Sequence, residues 1–570
     1  MPKIKMPARS YYDRTHDVKG DINMGRMYPV LHEEVNPGDT FEDVCEVMIR
    51  MNPMIRPILT EMTAYIRVFF VRDWTIFDDF DEMISRGPDG ESDVTLPMNG
   101  ANYTVAEGSN EDWLNINPGV YDADSFNTMA KRAFNKCYND WYRPQNQVPD
   151  EIDLESQADL YTTWERDFFT GSLPFTQRGP QVVLPLGSSA GPLPIRYADN
   201  NAYVFLGRGK TKRVNLGSSS SPSYFNVYGM GISGRPSLTS SAASAPYTRI
   251  DGYSNGTYPK GNLYYSVNGS KDLTPFIVDN INGSGTDTSS STADFSYSSL
   301  YADPAALNSV SINDWRMYMQ VQAWMELNAL GGVRYPELVL QHFGVVTPDA
   351  RVQRAEYLGS MKVPIIVSEV LQTSSTDDTS PQGNLSGHGI GANKRRLFKR
   401  SFTEHGWLIG ILTWIPKSGY QQGIPIEYQR ESALDFAWPL FTRLGMRDMP
   451  IKTIYTGAYL KDGEVVAPDT TGAVWTPVDD PNATFSYYTI YDELRYKSSS
   501  VHGRFRSNMA FWHLNRIFKT APALSQQFVE CHPDTERIKA VTTESDGVVQ
   551  IIHRLHAYRE LPKNPTPWHF

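Results

Sequence analysis

The sequence predicts a mainly β protein built around one antiparallel barrel or sandwich, and three observations lead there. Short β-branched and aromatic runs bounded by Pro, Gly and Asn recur along the chain, helical spacing is confined to a few excursions, and no clear linker divides the 570 residues. Strands and helices do not alternate in the manner that βαβ units require.

Taken in order, residues 1–30 carry Lys3, Lys5, Arg9, Arg14, Lys19 and Arg26 against three aspartates without sustained periodicity. They read either as a disordered terminus or as a mildly basic extended arm on the inner face of an assembly. Residues 31–570 then form one domain. Phe41, Cys45, Val47 and Ile49 fall at nearly every second position, and the run from Tyr65 to Val71 is aromatic and β-branched, so both segments are predicted strands. Between them, two prolines in NPMIRPIL interrupt any regular element. Phe126, Ala130, Ala133, Cys137 and Trp141 lie at helical spacing, which predicts a helix over 124–142 with Ser125 as its cap. A second helix starts at Ser311, paired with Asp314 in a capping box, and its stripe of Ile312, Trp315, Met319, Ala323, Leu327 and Leu330 is predicted core. Pro336 and Gly344 bracket a third, from Pro336 to Phe343. The run VPIIVSEV, Val363 to Val370, is predicted to be a buried core strand, followed by strands at Gly406 to Ile415 and Val548 to His556, a short one at Ile424 to Tyr428, and a helix over Asn508 to Phe518.

The segment from 187 to 303 stands apart. It is rich in Ser, Gly, Asn, Thr and Tyr and holds no Glu. Ser and Gly alone would make a flexible linker, but the scattered tyrosines argue for a loop-rich projection with a binding surface.

Composition narrows the function. Hydrophobic residues at 40% support a packed interior, and no apolar run approaches the ~20 residues of a membrane helix. The N-terminus lacks the apolar centre of a secretory signal, so a cytoplasmic origin is expected. Cys45, Cys137 and Cys531 lack the spacing of a disulfide framework or a zinc site and are predicted to be buried hydrophobes. The net charge of −11 argues against a free-standing nucleic-acid binder; a chain that encloses DNA would have to attract it through local basic patches. Lys394, Arg395, Arg396, Lys399 and Arg400 with Phe398 form such a patch, in which cations would meet phosphate and the ring a base. The same cluster reads equally as a solvated loop or a subunit contact.

No catalytic or metal constellation emerges. GHGIGA, Gly387 to Ala392, lacks the strand-turn-helix context of a phosphate cradle. His553 and His556, three apart in a strand, fall on opposite faces and cannot share a metal. No enzyme activity, cofactor or metal is expected.

A series of motifs in one order along nearly the whole chain carries a family resemblance. HEEVNPGDTF (32–41) is followed by DFFTGSLPFTQRGPQVVLPLG (167–187) and SINDWRMYMQVQAWMELNALGGVRYPEL (311–338). EHGWLIGILTW (404–414), YQQGIP (420–425), EYQR, DELRY (492–496), VHGRFR (501–506) and WHLNRIF (512–518) complete the series. The chain thereby resembles the major capsid proteins of microviruses, small icosahedral single-stranded DNA bacteriophages, of the gokushovirus kind. The resemblance implies an eight-stranded jelly roll with long insertions, and a T=1 icosahedral shell, a homo-oligomer, around a circular ssDNA genome in the virion, assembled in the bacterial cytoplasm. It further implies a small basic DNA-binding protein, an internal scaffolding protein and a pilot protein as partners, and a protrusion built by the 187–303 insertion that meets a host receptor. Lys394, Arg395, Arg396, Phe398, Lys399 and Arg400, with Lys3, Lys5 and Arg9, become candidates to face the DNA. Tyr224, Tyr228, Tyr247, Tyr253 and Tyr258 become candidates for the host contact. The alternative, a β-rich carbohydrate-binding or carbohydrate-cleaving protein, rests on the aromatic loops and the many Trp.

Overall fold

The computed structural model describes residues 9–180, 182, 312–371, 373 and 385–563, and the backbone of eight short strands between 195 and 302. The chain divides into two compact units, one made of residues 1–180 and 323–570 and the other of 181–322.

The first unit is organised by nine strands: β1 (Ser10–Asp13), β2 (His16–Ile22), β3 (Met27–Val35), β4 (Thr40–Met51), β5 (Met62–Arg72), β6 (Glu356–Leu371), β7 (Leu385–Ser401), β8 (Gly406–Pro416) and β9 (Gly547–Arg559). All their pairings are antiparallel. One run has the order β2-β9-β4-β7, with β1 also on β9, and the other the order β6-β5-β8-β3. The runs join where β6 changes partner: Glu356–Ile365 pairs with β5, and Ile366–Leu371 pairs with β7. This mainly β, curled antiparallel sheet is barrel-like, as predicted, with its two strand runs packed on one core.

Alternation explains the core. Phe41, Cys45, Val47, Ile49 and Met51 of β4 face inward with Val549, Ile551, Leu555 and Ala557 of β9. They meet Met62, Ala64, Ile66, Val68 and Phe70 of β5 and Leu408, Leu412 and Trp414 of β8. Burying such side chains stabilises by ~1.5–3 kcal/mol each, so this double layer is what orders the unit. On the far side of β5 and β8, Phe69, Val71, Ile409 and Ile411 are covered by helix α1 (Met129–Cys137) through Met129, Ala133, Phe134 and Cys137. A third cluster unites the 417–546 segment with Phe168 and Phe169.

Two joints explain motifs that the sequence shows only as strings. Asp167 Oδ1 accepts the N–H groups of Phe169 (2.9 Å) and Thr170 (2.8 Å), and Oδ2 accepts the hydroxyls of Ser418 (2.6 Å) and Tyr420 (2.8 Å). One carboxylate thus ties DFFTGSL to the strand exit before YQQGIP. Arg516 of WHLNRIF stands 4.0 Å from the Phe528 ring centre and 5.3 Å from that of Trp164, a cation among aromatic faces.

Several expectations change. Residues 10–22 are not an arm; they are β1 and β2, edge strands whose partner lies more than 500 residues away. The first helix begins at Met129, because the Ser125 hydroxyl turns back to the Asp122 carbonyl instead of capping, and it ends in a wide turn, Tyr138–Tyr142. Helix α2 (Ile312–Leu330) forms where predicted, but its stripe is exposed: Ile312, Trp315, Met319, Leu327 and Leu330 all face solvent in the single chain, with Asn328 and Ala329 buried. Helix α3 (Tyr335–Phe343) matches its prediction, with Gly344 at φ 68° closing it. In β6, Val363 and Ile365 are core but Ile366 and Val370 are exposed, since the strand has by then left β5 for β7. Ile426–Tyr428 is a 3-10 turn, not a strand, and within 508–518 only Ala510–Trp512 winds, as another 3-10 turn. The three cysteines are free and buried, and His553 is buried while His556 lies on the opposite, open face.

Among the described residues the second unit contains four antiparallel strand pairs. Asn201–Phe205 pairs with Thr211–Asn215, Val227–Met230 with Pro236–Leu238 and Asn262–Ser266 with Leu273–Ile277. Ile195–Tyr197 pairs with Leu300–Ala302, which brings the two ends of the insertion together.

Candidate nucleic-acid interface and assembly surface

The basic cluster of 394–400 sits on β7, not in a loop. Its outward positions face those of β4 and β9, and the alternation that buries Cys45 and Val47 turns Glu42 and Glu46 outward beside it. Lys394 Nζ lies 2.5 Å and Arg554 Nε 2.6 Å from Glu46 Oε1. Glu42 receives Arg396 Nε at 3.3 Å and Lys399 Nζ at 3.0 Å. The hydrogen bonds from Arg554 and then Lys394 hold the Glu46 carboxyl down to about 2, and Lys399 lowers that of Glu42. Arg400 is bound to Glu356, which also receives the buried Arg72 at 2.9 Å. Among the described residues Arg395 is exposed and has no carboxylate partner.

The result is a charged ladder across β9, β4 and β7 in which Lys394, Arg396, Lys399 and Arg554 outnumber Glu42 and Glu46. It keeps an excess of positive charge, although surface ion pairs of this kind hold their partners only weakly. Arg554, Glu42 and Glu46 escaped the sequence reading. The period-two spacing of Glu42, Val44, Glu46, Met48 and Arg50 in β4 was the signal that could have found the two glutamates.

Phe398 is corrected outright. A bulge between Arg396 and Phe398 inserts Leu397 as an extra residue, and both Leu397 and Phe398 turn into the core, 7% and 6% exposed. Phe398 therefore cannot stack on a base. Arg9 is tied to Glu560 at 3.2 Å, on the edge of the same sheet. Lys3, Lys5 and the side chains of Tyr224, Tyr228, Tyr247, Tyr253 and Tyr258 lie outside the described residues.

The second functional feature is apolar. Between 428 and 444 the chain runs through two short turns, Ala433–Asp435 and Pro439–Arg443, and leaves Tyr428, Leu434, Phe436, Trp438, Leu440 and Leu444 exposed. Helix α2 mixes polar residues with large apolar ones and leaves Trp315, Met317, Met319, Trp324, Leu327 and Leu330 exposed. Leu340, Phe343, Val345 and Val346 extend the exposed surface beyond α3. Exposed apolar residues that gather into one patch mark contact with other molecules. Among the described residues no group of His, Cys, Asp or Glu is placed to hold a metal, and no helix is long and apolar enough to cross a membrane.

Comparison with known proteins agrees with this geometry. The family described as "Capsid protein (F protein)" matches residues 3–568. The capsid protein VP1 of Chlamydia phage 1 is 30% identical, with 98% of this chain and 95% of the relative covered. VP1 of Bdellovibrio phage phiMH2K is 28% identical over 94% of this chain and 90% of its own length, and VP1 of Spiroplasma virus 4 is 25% identical over 98% and 95%. The chain belongs to the capsid protein (F protein) family as a structural capsid protein of the microvirus kind.

Proposed function

We propose that this capsid protein assembles with one copy per asymmetric unit into a T=1 icosahedral shell around a circular single-stranded DNA genome. The exposed apolar surface at 428–444 and on α2 carries the reading, since a closed shell covers such surface with neighbouring copies. The role is structural, not enzymatic, and the site of action is the virion, assembled in the bacterial cytoplasm. In this reading the ladder on β9, β4 and β7 faces the interior and supplies phosphate contacts through Lys394, Arg396 and Lys399, and Arg395, Arg400, Lys3, Lys5 and Arg9 add to them. A small basic DNA-binding protein supplements them, because the chain itself is anionic. An internal scaffolding protein and a pilot protein complete the assembly, and the 187–303 insertion points outward to a host receptor.

Particle mass tests the shell directly: about 60 copies of the 64.3 kDa chain give about 3.9 MDa. A stable smaller oligomer would contradict it. Particles carrying Lys394→Gln, Arg396→Gln and Lys399→Gln should assemble yet contain less DNA after nuclease treatment, and unchanged content in intact particles would remove the ladder from that role. Shortening the 187–303 insertion should spare assembly and abolish host attachment; shells that fail to form would make it an intersubunit clamp.

A further inference from the structure

Among the described residues the curled sheet has two free edges, β1 with β2 on one run and β3 on the other, and the chain joins them directly through residues 23–26. There β1 and β2 pair with β9 alone, and every second residue of both is exposed. Backbone bonds on one side and the contacts of their inner face are what hold them.

That inner face is polar where the rest of the core is apolar. His16 lies opposite His553 in the register of β2 and β9, with ring centres 5.4 Å apart and planes 28° from parallel. His553 Nδ1 is 2.9 Å from Asp43 Oδ2 of β4, and both residues are fully buried. From the turn between β1 and β2, Arg14 donates Nε at 3.0 Å and Nη2 at 2.8 Å to Glu33 Oε1 of β3, which links the two edges. His32 of β3, half-buried, is within electrostatic reach of Glu33, His16 and His553. Cys45 of β4, beside His553 in register, is kept neutral by burial, and β8 brings the apolar Leu408 opposite Glu33. Asp13, Arg554 and His556 lie on the opposite, open face.

The charges decide how this seam responds to acid. The His16 Nδ1–H donates to the Arg14 carbonyl at 2.9 Å, while His553 Nε2, His32 Nδ1 and Asp43 Oδ1 are buried with no hydrogen-bond partner among the described residues. Glu33 is engaged by Arg14, so Asp43 is left to face three imidazoles. A proton on His553 is matched by Asp43; further protons on His16 and His32 stand beside it without an anion of their own, where little water screens them. Burial, foremost, holds the His32 imidazole below its ordinary 6.5; Glu33 opposes that, and His16 and His553 deepen it. A histidine lowered in the folded chain lends its stability in full above 6.5 and loses it as pH falls, so acid loosens the seam.

We infer that His16, His32 and His553 form an acid-sensitive latch, whose protonation releases β1 and β2 from the sheet edge while the strands behind them stay paired. The latch belongs to the single subunit and acts whether or not copies assemble.

Hydrogen–deuterium exchange of the purified full-length chain at about pH 7.5 and about pH 5.5, either side of the histidine range and corrected for intrinsic exchange rates, reads the release. Peptides covering 10–22 should lose protection by about tenfold or more at the lower pH, while those covering 62–72 and 406–416 keep theirs. His16→Gln with His32→Gln removes two of the three charges and should restore most of that protection. His16→Lys, charged at both pH values, should deprotect 10–22 already at the higher one. Equal protection of 10–22 at both pH values in the unaltered chain overturns the inference, and so does an undiminished loss in the glutamine variant. Loss over 62–72 and 406–416 together with 10–22 is global unfolding and overturns it as well. If the glutamine variant does not fold, His16→Lys still decides, since full protection of 10–22 in that variant at the higher pH overturns the latch.

Discussion

Leu440 and Leu444 allow the assembly surface to be tested apart from the fold. They are 80% and 65% exposed in the single chain, beside Tyr428 at 82% and Leu434 at 70%. Replacing both by serine removes little that the isolated subunit buries, so its stability should stay within about 0.5 kcal/mol per site, as for surface changes generally. If a neighbouring copy covers them, each leucine contributes ~1.5–3 kcal/mol to that contact, and the pair at least ~3 kcal/mol. At ~1.4 kcal/mol per tenfold, each contact weakens by about a hundredfold or more, and a closed shell repeats that loss at every copy. Circular dichroism and the thermal midpoint of the Leu440→Ser, Leu444→Ser subunit should match the unaltered chain, while sedimentation should show particles lost. Full yield of particles at the same concentration would refute the assignment of this surface to assembly. A large fall in the midpoint would show instead that the two side chains support the fold.

Three further outcomes concern stability. Asp73 is buried with an unpartnered Oδ1, and desolvation, with Glu34 adding to it, raises its carboxyl to about 7. A carboxyl raised in the folded state favours folding fully only below its ordinary value near 3.8, so that contribution declines as pH rises from about 4 to 7. Asp73→Asn should remove this slope and stabilise the chain at neutral pH by a few kcal/mol, at ~1.4 kcal/mol for each pH unit by which burial raises the carboxyl; denaturation at pH 4, 5.5 and 7 that keeps the slope would contradict it. Asp43 and His553, both fully buried, meet at 2.9 Å between β4 and β9, so Asp43→Ala should cost ~1–3 kcal/mol in urea denaturation by leaving a buried ring nitrogen without its partner, and no loss would show the pair is dispensable. At Gly387 a Cβ would stand 2.6 Å from Pro57 Cα and 2.8 Å from the Arg56 carbonyl oxygen, so Gly387→Ala should cost ~1–3 kcal/mol by the same assay and a neutral effect would contradict the close approach of chain at that corner.

The parts of the fold legible in the sequence were those where local pattern and burial coincide. β4, β5, β8 and β9 each place one face in the core, and their alternating or continuous apolar runs announce them. β1 and β2 carry SYYD and HDVKGDI, half-exposed edge sequences held by backbone pairing to a strand at the other end of the chain, and nothing local signals such a partner. Gly387, Gly389 and Gly391 offer no side-chain pattern to read, yet they are strand positions crowded by neighbouring chain, with backbone closest at Gly387. Helix α2 was legible as a helix but not as an exposed one, because apolar residues look alike whether they await their own core or another copy. The ladder's cations were visible as a run; their glutamates were not, because pairing across β4, β7 and β9 joins residues several hundred positions apart. Phe398 misled for a backbone reason, a one-residue bulge that reverses which face a side chain occupies.

Electron microscopy of the purified full-length chain, with sedimentation of the same sample, bears most directly on the central claim that this is a self-assembling shell subunit. The account predicts small isometric particles of uniform diameter, which persist when the 394–400 cations are neutralised and disappear when Leu440 and Leu444 become serine. A chain that stayed monomeric at every concentration, salt and pH at which it is folded would contradict it.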